Sequence, residues 1–421
     1  GEFMILQFKV KNFRSIKDEI KIDFFANNVE DITQFPGYFV NDKKEKILKG
    51  ITLIGNNASG KTNVLNALYA LYMAVVSTLD IVETKTLDFV VPFLFDEDTS
   101  SQPCSFELLF EENGVRYLYL LSLTKEEIYQ EKLSFAPNGR MVTLFDRERD
   151  KGAVFHSTYV SRDNERLIQE RNLKNKPIVT FSAQFNIPYL KDVYQFFAGQ
   201  LLFTNGQGLA NEQGIGLRLL GDEGYHLFLK SLMKASDLSI DDVLSTKRTG
   251  KVMVPLLSVD GRENGFSFAD QDIYHVTTNH KVKDKEYSLS ILDESLGTQK
   301  VLAYSGAIYD ALSQGKAIIY DEFGSSLHPH VSAFLLSLFF DDTLNTRHAQ
   351  IFFNTQETNL LSEQILRRDE IYLVEKNKED SSTMVSCLKE YAVRKKENIE
   401  MGYLNGRYSL SPDIDGGKIK L

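Results

Sequence analysis

The stretch that decides the fold is ITLIGNNASGKTN, residues 51–63. Its first four residues are an apolar run typical of a buried β-strand, and the remainder is rich in glycine and asparagine. The segment VLNALYALYMAVVS that follows has apolar residues at helical spacing, namely Val64, Leu68, Leu71 and Val75. We therefore predict a strand, a tight loop and a helix that packs one face on a sheet.

The loop fits the pattern G-x-x-x-x-G-K-[ST], in which backbone N–H groups and the helix N-terminus bind nucleotide phosphates. Its glycines allow the backbone to approach a phosphate closely. We expect Lys61, a candidate catalytic residue, to reach the β- and γ-phosphates and the hydroxyl of Thr62 to bind Mg²⁺. The predicted nucleotide-binding residues of the loop are Gly55, Asn56, Asn57, Ala58, Ser59, Gly60, Lys61, Thr62 and Asn63.

A second candidate element is AIIYDEF, an apolar strand pattern that ends in Asp321 and Glu322. A carboxylate at the tip of a buried strand is unfavourable unless it meets a cation, so we expect Asp321 to bind Mg²⁺ beside the phosphate loop. Glu322 is then the candidate catalytic residue that orients water for attack on the γ-phosphate. Alone, Asp-Glu also fits an ordinary strand end; its combination with the loop favours the metal interpretation.

A third element, DESLGTQK at residues 293–300, opens a predicted helix. Ser295 is a favourable N-cap, and a serine–glycine turn at a helix N-terminus is a candidate second anion site. An ordinary capped helix explains these residues equally well.

Composition sets limits on the class of protein. The 421 residues carry a net charge of −10 with 43% hydrophobic residues, as in soluble globular proteins, and this acidic balance excludes a surface that is basic throughout. Cys104 and Cys387 are too few for a disulfide framework or a Cys-rich zinc site, which favours a reducing, cytoplasmic location. No apolar run approaches the roughly 18 residues of a membrane helix, so no membrane contact is expected.

Patterns along the chain predict an α/β fold. Residues 103–145 alternate as antiparallel strands, and residues 155–245 have mostly helical spacing. Strand-like pieces return around VMVPLLSV and DIYHVTTNHKV. Toward the C-terminus strands alternate with helices, which indicates a parallel sheet. We predict a discontinuous head, residues 4–150 and 285–421, with a mainly parallel core sheet and an antiparallel β lobe. A mainly helical insertion is expected at residues 151–284.

The motifs FKVKNFRSI, GNNASGKTN, DESLGTQK, YDEFGSSLHP and FNTQETNLL occur in this order. With them the chain resembles the ABC-type ATPases of SMC and RecF-like proteins. More closely, it resembles compact bacterial AAA-type ATPases that are related to the ATPase part of the overcoming-lysogenisation-defect (OLD) family. Those proteins occur in anti-phage and abortive-infection operons. The resemblance includes both ends of the chain but does not constrain the helical middle.

This resemblance implies an ATP- and Mg²⁺-dependent head of the ABC type. Arg14 would lie near the phosphates. Ser295 and Gly297 would contact the γ-phosphate bound by an opposite subunit, so that two heads close over two nucleotides as a homodimer or within a higher homo-oligomer. Where the family has a histidine after its penultimate strand, this chain has Gln356, which cannot become cationic. Gln356 is therefore assigned to the catalytic site, and slow hydrolysis or an ATP-binding switch is expected.

The leading functional hypothesis is a nucleotide-dependent sensor or scaffold that controls an operon-encoded effector, a toxin or nuclease, in anti-phage defence. The alternative is a RecF- or SMC-like DNA-binding repair ATPase, so nucleic-acid binding stays open. A small-molecule phosphoryl-transfer enzyme is a third hypothesis. It is less favoured because it would leave the motif DESLGTQK without a function. Two amphipathic segments, residues 189–197 and 237–244, are candidates either for docking the effector or for the core.

Overall fold

The apolar run that precedes the glycine-rich loop lies inside an α/β fold. The computed structural model of the protein describes residues 3–27, 33–236, 238–257, 263–361, 364–391 and 397–408. The described strands are β1 (Phe3–Lys11), β2 (Ile20–Asp23), β3 (Tyr38–Val40), β4 (Lys46–Leu48), β5 (Gly50–Gly55), β6 (Cys104–Glu112), β7 (Val115–Leu123), β8 (Ile128–Ala136), β9 (Val142–Glu148), β10 (Gly152–Phe155), β11 (Leu201–Asn205), β12 (Asp242–Leu257), β13 (Glu263–Val282), β14 (Lys285–Ser290), β15 (Ala317–Asp321), β16 (Gln350–Asn354), β17 (Ile371–Lys376) and β18 (Thr383–Cys387). The described helices are α1 (Lys61–Val76), α2 (Glu97–Ser100), α3 (Arg162–Arg171), α4 (Ile178–Gln184), α5 (Leu190–Gln200), α6 (Glu212–Gly221), α7 (Glu223–Ala235), α8 (Leu296–Gln314), α9 (Pro329–Phe340) and α10 (Ile399–Leu404).

The chain divides into two compact units. Unit 1 comprises Gly1–Asn205, Asp310–Ser325 and Ser332–Leu421, and unit 2 comprises Gly206–Tyr309 and Ser326–Val331.

The central sheet of unit 1 has the strand order β11-β15-β16-β5-β17-β18. Every neighbouring pair is parallel except β17 and β18. Strands β5, β15 and β16 are almost entirely buried, which explains their continuous apolar runs. Because the carboxyl ends of parallel strands meet at one edge of a sheet, the loops after these three strands converge there. The predicted mainly parallel core sheet is confirmed.

The predicted antiparallel lobe is also confirmed. It is a sheet with the order β10-β9-β8-β7-β6-β1-β2, in which each neighbouring pair is antiparallel. Strand β1 begins at Phe3, one residue before the predicted start of the head, and Phe3 is only 2% exposed.

Helix α5 contradicts the docking interpretation of residues 189–197. Its Leu190, Val193, Phe196 and Phe197 are buried in the core of unit 1. The ring of Phe196 stacks on that of Phe110 in β6, with 3.8 Å between the ring centroids. The amphipathic face predicted from the sequence therefore packs on the antiparallel sheet.

Unit 2 differs from the mainly helical insertion predicted at residues 151–284. Residues 151–205 belong to unit 1, and unit 2 contains the antiparallel sheet β12-β13-β14 beside helices α6 and α7. Within residues 237–244, Asp237 lies outside the described residues, and the chain is a strand from Asp242 onward. The β-branched residues of this region favour the extended conformation over the predicted helix.

In the part of the chain that the structure describes, none of the helices has the length and apolar character required to cross a membrane.

Candidate nucleotide-binding site

The loop between β5 and α1 has the geometry that its glycines predict. Gly60 is the N-cap of α1 with φ of 103°, a left-handed conformation that glycine adopts without steric cost. A Cβ atom at Gly60 would lie 2.0 Å from Oγ1 of Thr383, and one at Gly55 would lie 2.0 Å from the carbonyl oxygen of Val374. Any larger residue at either position would disrupt the loop.

A half-open cavity of about 360 Å³ lies over this loop in unit 1. Its walls combine the loop with the ends of β15 and β16 and with the turn after β1. The lining residues are Ser15, Asn57, Ala58, Ser59, Gly60, Lys61, Thr62, Asn63, Glu322, Asn354 and Gln356. The structure therefore places most of the loop, Glu322 and Gln356 around one space.

Lys61 folds back over the loop at the base of this cavity. Its Nζ donates hydrogen bonds to the carbonyl oxygens of Gly55, at 2.7 Å, and Asn56, at 3.0 Å. The side chain is largely buried, and this desolvation lowers the pKa of Lys61, while the nearby carboxylates of Glu322 and Asp321 act in the opposite direction. An anionic ligand in the cavity would favour the charged form of Lys61.

The two predicted metal ligands lie next to each other. Oγ1 of Thr62 donates a 2.9 Å hydrogen bond to Oδ1 of Asp321. A hydroxyl and a carboxylate beside a phosphate site are the oxygen ligands that Mg²⁺ prefers, so the residues present fit this ion. Among the described residues, no group of three or more His, Cys, Asp or Glu side chains is arranged to hold a metal ion. Phosphate oxygens and water would therefore have to complete the coordination of Mg²⁺.

Glu322 follows β15 in a left-handed conformation, with φ of 55°. Its backbone N–H donates a 2.5 Å hydrogen bond to Oδ1 of Asn354, the last residue of β16. Gln356, two residues beyond, is exposed and lines the cavity with Glu322. The three assigned catalytic residues, Lys61, Glu322 and Gln356, thus all line the cavity above the phosphate loop.

Sequence reasoning missed Ser15 and Thr383, which support the loop from two sides. Oγ of Ser15 accepts a hydrogen bond from Nδ2 of Asn63 and lies 2.7 Å from Oγ1 of Thr383. Oγ1 of Thr383 donates to the carbonyl oxygen of Ser59 at 3.0 Å. Ser15 was within the quoted motif NFRSI, whereas no local pattern singles out Thr383.

Arg14 does not line the cavity. It is exposed, and its guanidinium carbon lies 5.4 Å from the centroid of the Phe13 ring. Ser15, the next residue, occupies the cavity wall instead. A contact between Arg14 and phosphate stays a prediction.

Ser295 and Gly297 belong to unit 2 and are not among the residues that line the cavity. Oγ of Ser295 accepts a hydrogen bond from the backbone N–H of Thr298 at 3.2 Å, which is the contact expected of a helix N-cap. The preceding Glu294 pairs with His280 on β13, with 2.7 Å between Oε1 and Nε2. The role of Ser295 and Gly297 at a second nucleotide stays a prediction.

A parallel sheet with a glycine-rich loop after one strand and a carboxylate pair after another defines the P-loop class of α/β proteins. A family model described as "AAA domain, putative AbiEii toxin, Type IV TA system" matches residues 51–362, and the chain belongs to this family. The match confirms the predicted relation to AAA-type ATPases of abortive infection. No curated protein sequence matches the chain.

Solved structures give distant similarities. The SMC head domain from Thermotoga maritima is 13% identical with a TM-score of 0.40, over 91% of this chain and 98% of that chain. An SMC head bound to the C-winged helix domain of ScpA is 13% identical with a TM-score of 0.39, over 92% and 98%. The protein cbiO1 from Clostridium perfringens, part of the ABC transporter complex cbiONQ, is 9% identical with a TM-score of 0.30, over 86% and 90%.

Proposed function

We propose that the protein binds ATP with Mg²⁺ in the cavity over the phosphate loop and hydrolyses it slowly. The observation that carries this proposal is the convergence of Lys61, Thr62 and Glu322 on one cavity, with Asp321 hydrogen-bonded to Thr62. Membership in a family of AAA domains supports it.

Each side chain has a distinct role in this proposal. Lys61 and the N–H groups at the start of α1 bind the phosphates. Thr62 and Asp321 would hold Mg²⁺, which supplies positive charge to the phosphate oxygens. Glu322 orients the attacking water and accepts its proton. Gln356 donates a neutral hydrogen bond, which stabilises developing charge less than a protonated histidine would, so turnover is slow.

Two chains are proposed to close over two nucleotides, as a homodimer or within a higher homo-oligomer. The resemblance to ABC-type heads assigns Ser295 and Gly297 to the γ-phosphate of the opposite subunit. The position of Ser295 supports this, because it begins a long helix and the neighbouring Leu296 is 53% exposed. An N-terminal helix end is a suitable contact for a phosphate.

The output of this nucleotide cycle is proposed to be control of an effector, a toxin or nuclease, in bacterial anti-phage defence in the cytoplasm. The family description calls the AAA domain itself a putative AbiEii toxin of a type IV toxin–antitoxin system, which supports the setting in toxin–antitoxin defence. Direct DNA repair is the alternative. Lys247 of β12 gives it little support, because its ammonium is paired with Asp272 at 2.8 Å. Stimulation of hydrolysis by DNA ends would favour the alternative instead.

The test compares wild type with Glu322→Gln and, as matched control, Glu357→Gln, a nearby carboxylate that does not line the cavity. Glu322→Gln should bind ATP as wild type does and lose hydrolysis by about 100-fold or more, as expected for removal of a general base. Glu357→Gln should hydrolyse ATP normally. Unchanged phosphate release by Glu322→Gln would remove the catalytic assignment.

Closure is tested in the same preparations by light scattering. With ATP, Glu322→Gln should accumulate as a dimer or larger assembly. Adding Ser295→Arg to it should prevent this while ATP binding persists, because the arginine would occupy the contact with the opposite subunit. Ser288→Arg on exposed β14 adds the same charge to unit 2 and should leave assembly intact. Normal assembly of the Ser295→Arg variant would contradict the proposed closure.

A further inference from the structure

Asn354 contacts three functional parts of the candidate site at once. It is the last residue of β16 and only 1% exposed. Its Nδ2 donates hydrogen bonds to Oδ1 of Asp321, at 2.6 Å, and to Oγ1 of Thr62, at 3.2 Å. Its Oδ1 accepts the N–H of Glu322 at 2.5 Å. We propose that Asn354 is a positioning residue that holds the two candidate Mg²⁺ ligands together and fixes the backbone of Glu322. This inference rests on the proposed function.

The hydrogen-bond partners require a carboxamide at this position. The backbone N–H of Glu322 can only donate, so it fixes the oxygen end of the amide. The NH₂ group then faces the carboxylate of Asp321 and supplies a second proton toward Thr62. Aspartate would keep the acceptor but place a second negative charge against Asp321. Serine, threonine and alanine lack the two donors that reach separate oxygens.

The backbone of Asn354 and the side chain of Thr355 also hold the turn that contains Glu322 by hydrogen bonds. The carbonyl oxygen of Asn354 accepts the N–H of Phe323 at 2.9 Å, and Oγ1 of the adjacent Thr355 donates to the carbonyl oxygen of Phe323 at 2.7 Å. Glu322 itself has a left-handed conformation that L-residues adopt only when the surroundings fix it. The end of β16 therefore fixes the backbone position from which the side chain of Glu322 extends to the cavity wall.

One consequence is that metal binding and water orientation depend on a single side chain. The NH₂ group of Asn354 orients Asp321 and Thr62, and its oxygen holds the backbone N–H of Glu322. Residues that orient metal ligands typically change metal affinity by about 10- to 100-fold when substituted. A purely structural asparagine would instead affect only stability.

The chain offers a matched control in Asn345, which is also 1% exposed. Its Nδ2 donates to the carbonyl oxygens of Phe339 and Ala349, at 2.7 and 2.9 Å, and its Oδ1 accepts the N–H of Ala349 at 2.7 Å. It thus forms two donor bonds and one acceptor bond, as Asn354 does, but it does not line the cavity.

The first measurement is ATP binding as a function of Mg²⁺ concentration. Asn354→Ala should raise the Mg²⁺ concentration for half-saturation by about tenfold or more, while ATP binding in EDTA stays at the wild-type level because Lys61 is intact. Asn345→Ala should change neither. Equal Mg²⁺ dependence in the two variants would overturn the positioning role.

The second measurement needs no nucleotide and uses the isosteric variants Asn354→Asp and Asn345→Asp. MgCl₂ alone should raise the melting temperature of Asn354→Asp more than that of wild type or Asn345→Asp, because a divalent cation relieves the repulsion between residue 354 and Asp321. Equal shifts in all three proteins would overturn the proposal. If wild type fails to bind ATP, the proposed function fails, and this melting experiment still tests whether residue 354 lies against the Asp321 carboxylate at a cation-binding position.

Discussion

The hydroxyl of Thr62 donates a 2.9 Å hydrogen bond to the carboxylate of Asp321, a residue 259 positions away in the chain. Thr62 lies in the first turn of α1 and Asp321 at the end of β15. Parallel pairing of β15, β16 and β5 brings these ends to one edge of the sheet. The contact places a hydroxyl and a carboxylate, both suited to Mg²⁺, beside the phosphate loop.

Thr62→Val tests whether this pair binds the metal. The substitution removes the hydroxyl at nearly constant volume, so Mg²⁺-dependent ATP binding should weaken by about tenfold or more. Binding in EDTA should be unaffected, and Thr62→Ser should restore the Mg²⁺ dependence. The check is a fluorescence titration with a labelled ATP analogue. Equal losses with and without Mg²⁺ would indicate a structural defect instead.

Gln356 offers a gain-of-function test, because it lines the cavity where the resemblance implies a histidine. Gln356→His should raise kcat for ATP hydrolysis without tightening ATP binding, since a cationic side chain stabilises charge that develops only in the transition state. Gln356→Asn serves as the neutral control and should not increase kcat. An unchanged kcat in the histidine variant would show that this position does not assist hydrolysis.

Phe196 tests the assignment of α5 to the core. It stacks on Phe110 and contacts Phe3 with ring centroids 5.1 Å apart, so Phe196→Ala should lower the free energy of unfolding by about 3–5 kcal/mol. Phe95→Ala is the control, because Phe95 is 74% exposed and its truncation should change stability by less than about 0.5 kcal/mol. Urea denaturation measures both. A stable Phe196→Ala protein would restore the docking interpretation of this helix.

The two thiols predict a dependence of stability on alkaline pH. Burial raises the pKa of Cys104 to about 12 and that of Cys387 to about 11, above the ordinary value of 9.0. Because the folded-state pKa values are raised, the thiols' contribution to stability is complete below about pH 9 and is lost as pH rises through 11 to 12. The free energy of unfolding should therefore fall as the pH is raised from about 9 to 12. It should fall less steeply in the Cys104→Ala variant, which lacks one of the two thiols.

Maleimide labelling at neutral pH provides a complementary check on the same thiols. Both should react slowly in the native protein and rapidly in urea, and ATP with Mg²⁺ should slow native labelling further by stabilising the fold. Rapid native labelling would contradict the burial of Cys104 and Cys387.

The phosphate loop and the Asp321–Glu322 pair could be predicted from the sequence because each is a local pattern whose chemistry depends on few neighbours. Asn354 could not, because its role arises from the register of β15 against β16 and not from any pattern around it. The same holds for Thr383, which reaches the loop from a distant hairpin. The residues proposed to carry the chemistry are therefore recognisable from local sequence patterns. The residues that hold them in place are brought together only by the tertiary fold.

The middle of the chain was harder to predict for two physical reasons. The apolar face of α5 is compatible with either a partner surface or a core, and only the aromatic contacts with β6 decide between them. In unit 2, the long strands β12 and β13 carry many charged and polar residues, so their period-2 pattern is weak. The sequence therefore predicts only short strand-like pieces there, and its helical spacing extends to residue 245, inside β12.

Equilibrium binding of ATP in the presence of Mg²⁺, measured by isothermal titration calorimetry on wild type, Lys61→Ala and the exposed control Lys85→Ala, tests the central claim most directly. Wild type and Lys85→Ala should bind ATP with equal affinity. Lys61→Ala should bind about 10- to 100-fold more weakly, because it loses a charge-assisted contact with phosphate worth about 1.5–3 kcal/mol. Absence of ATP binding in wild type, or equal affinity in Lys61→Ala, would contradict the assignment of this cavity to a nucleotide.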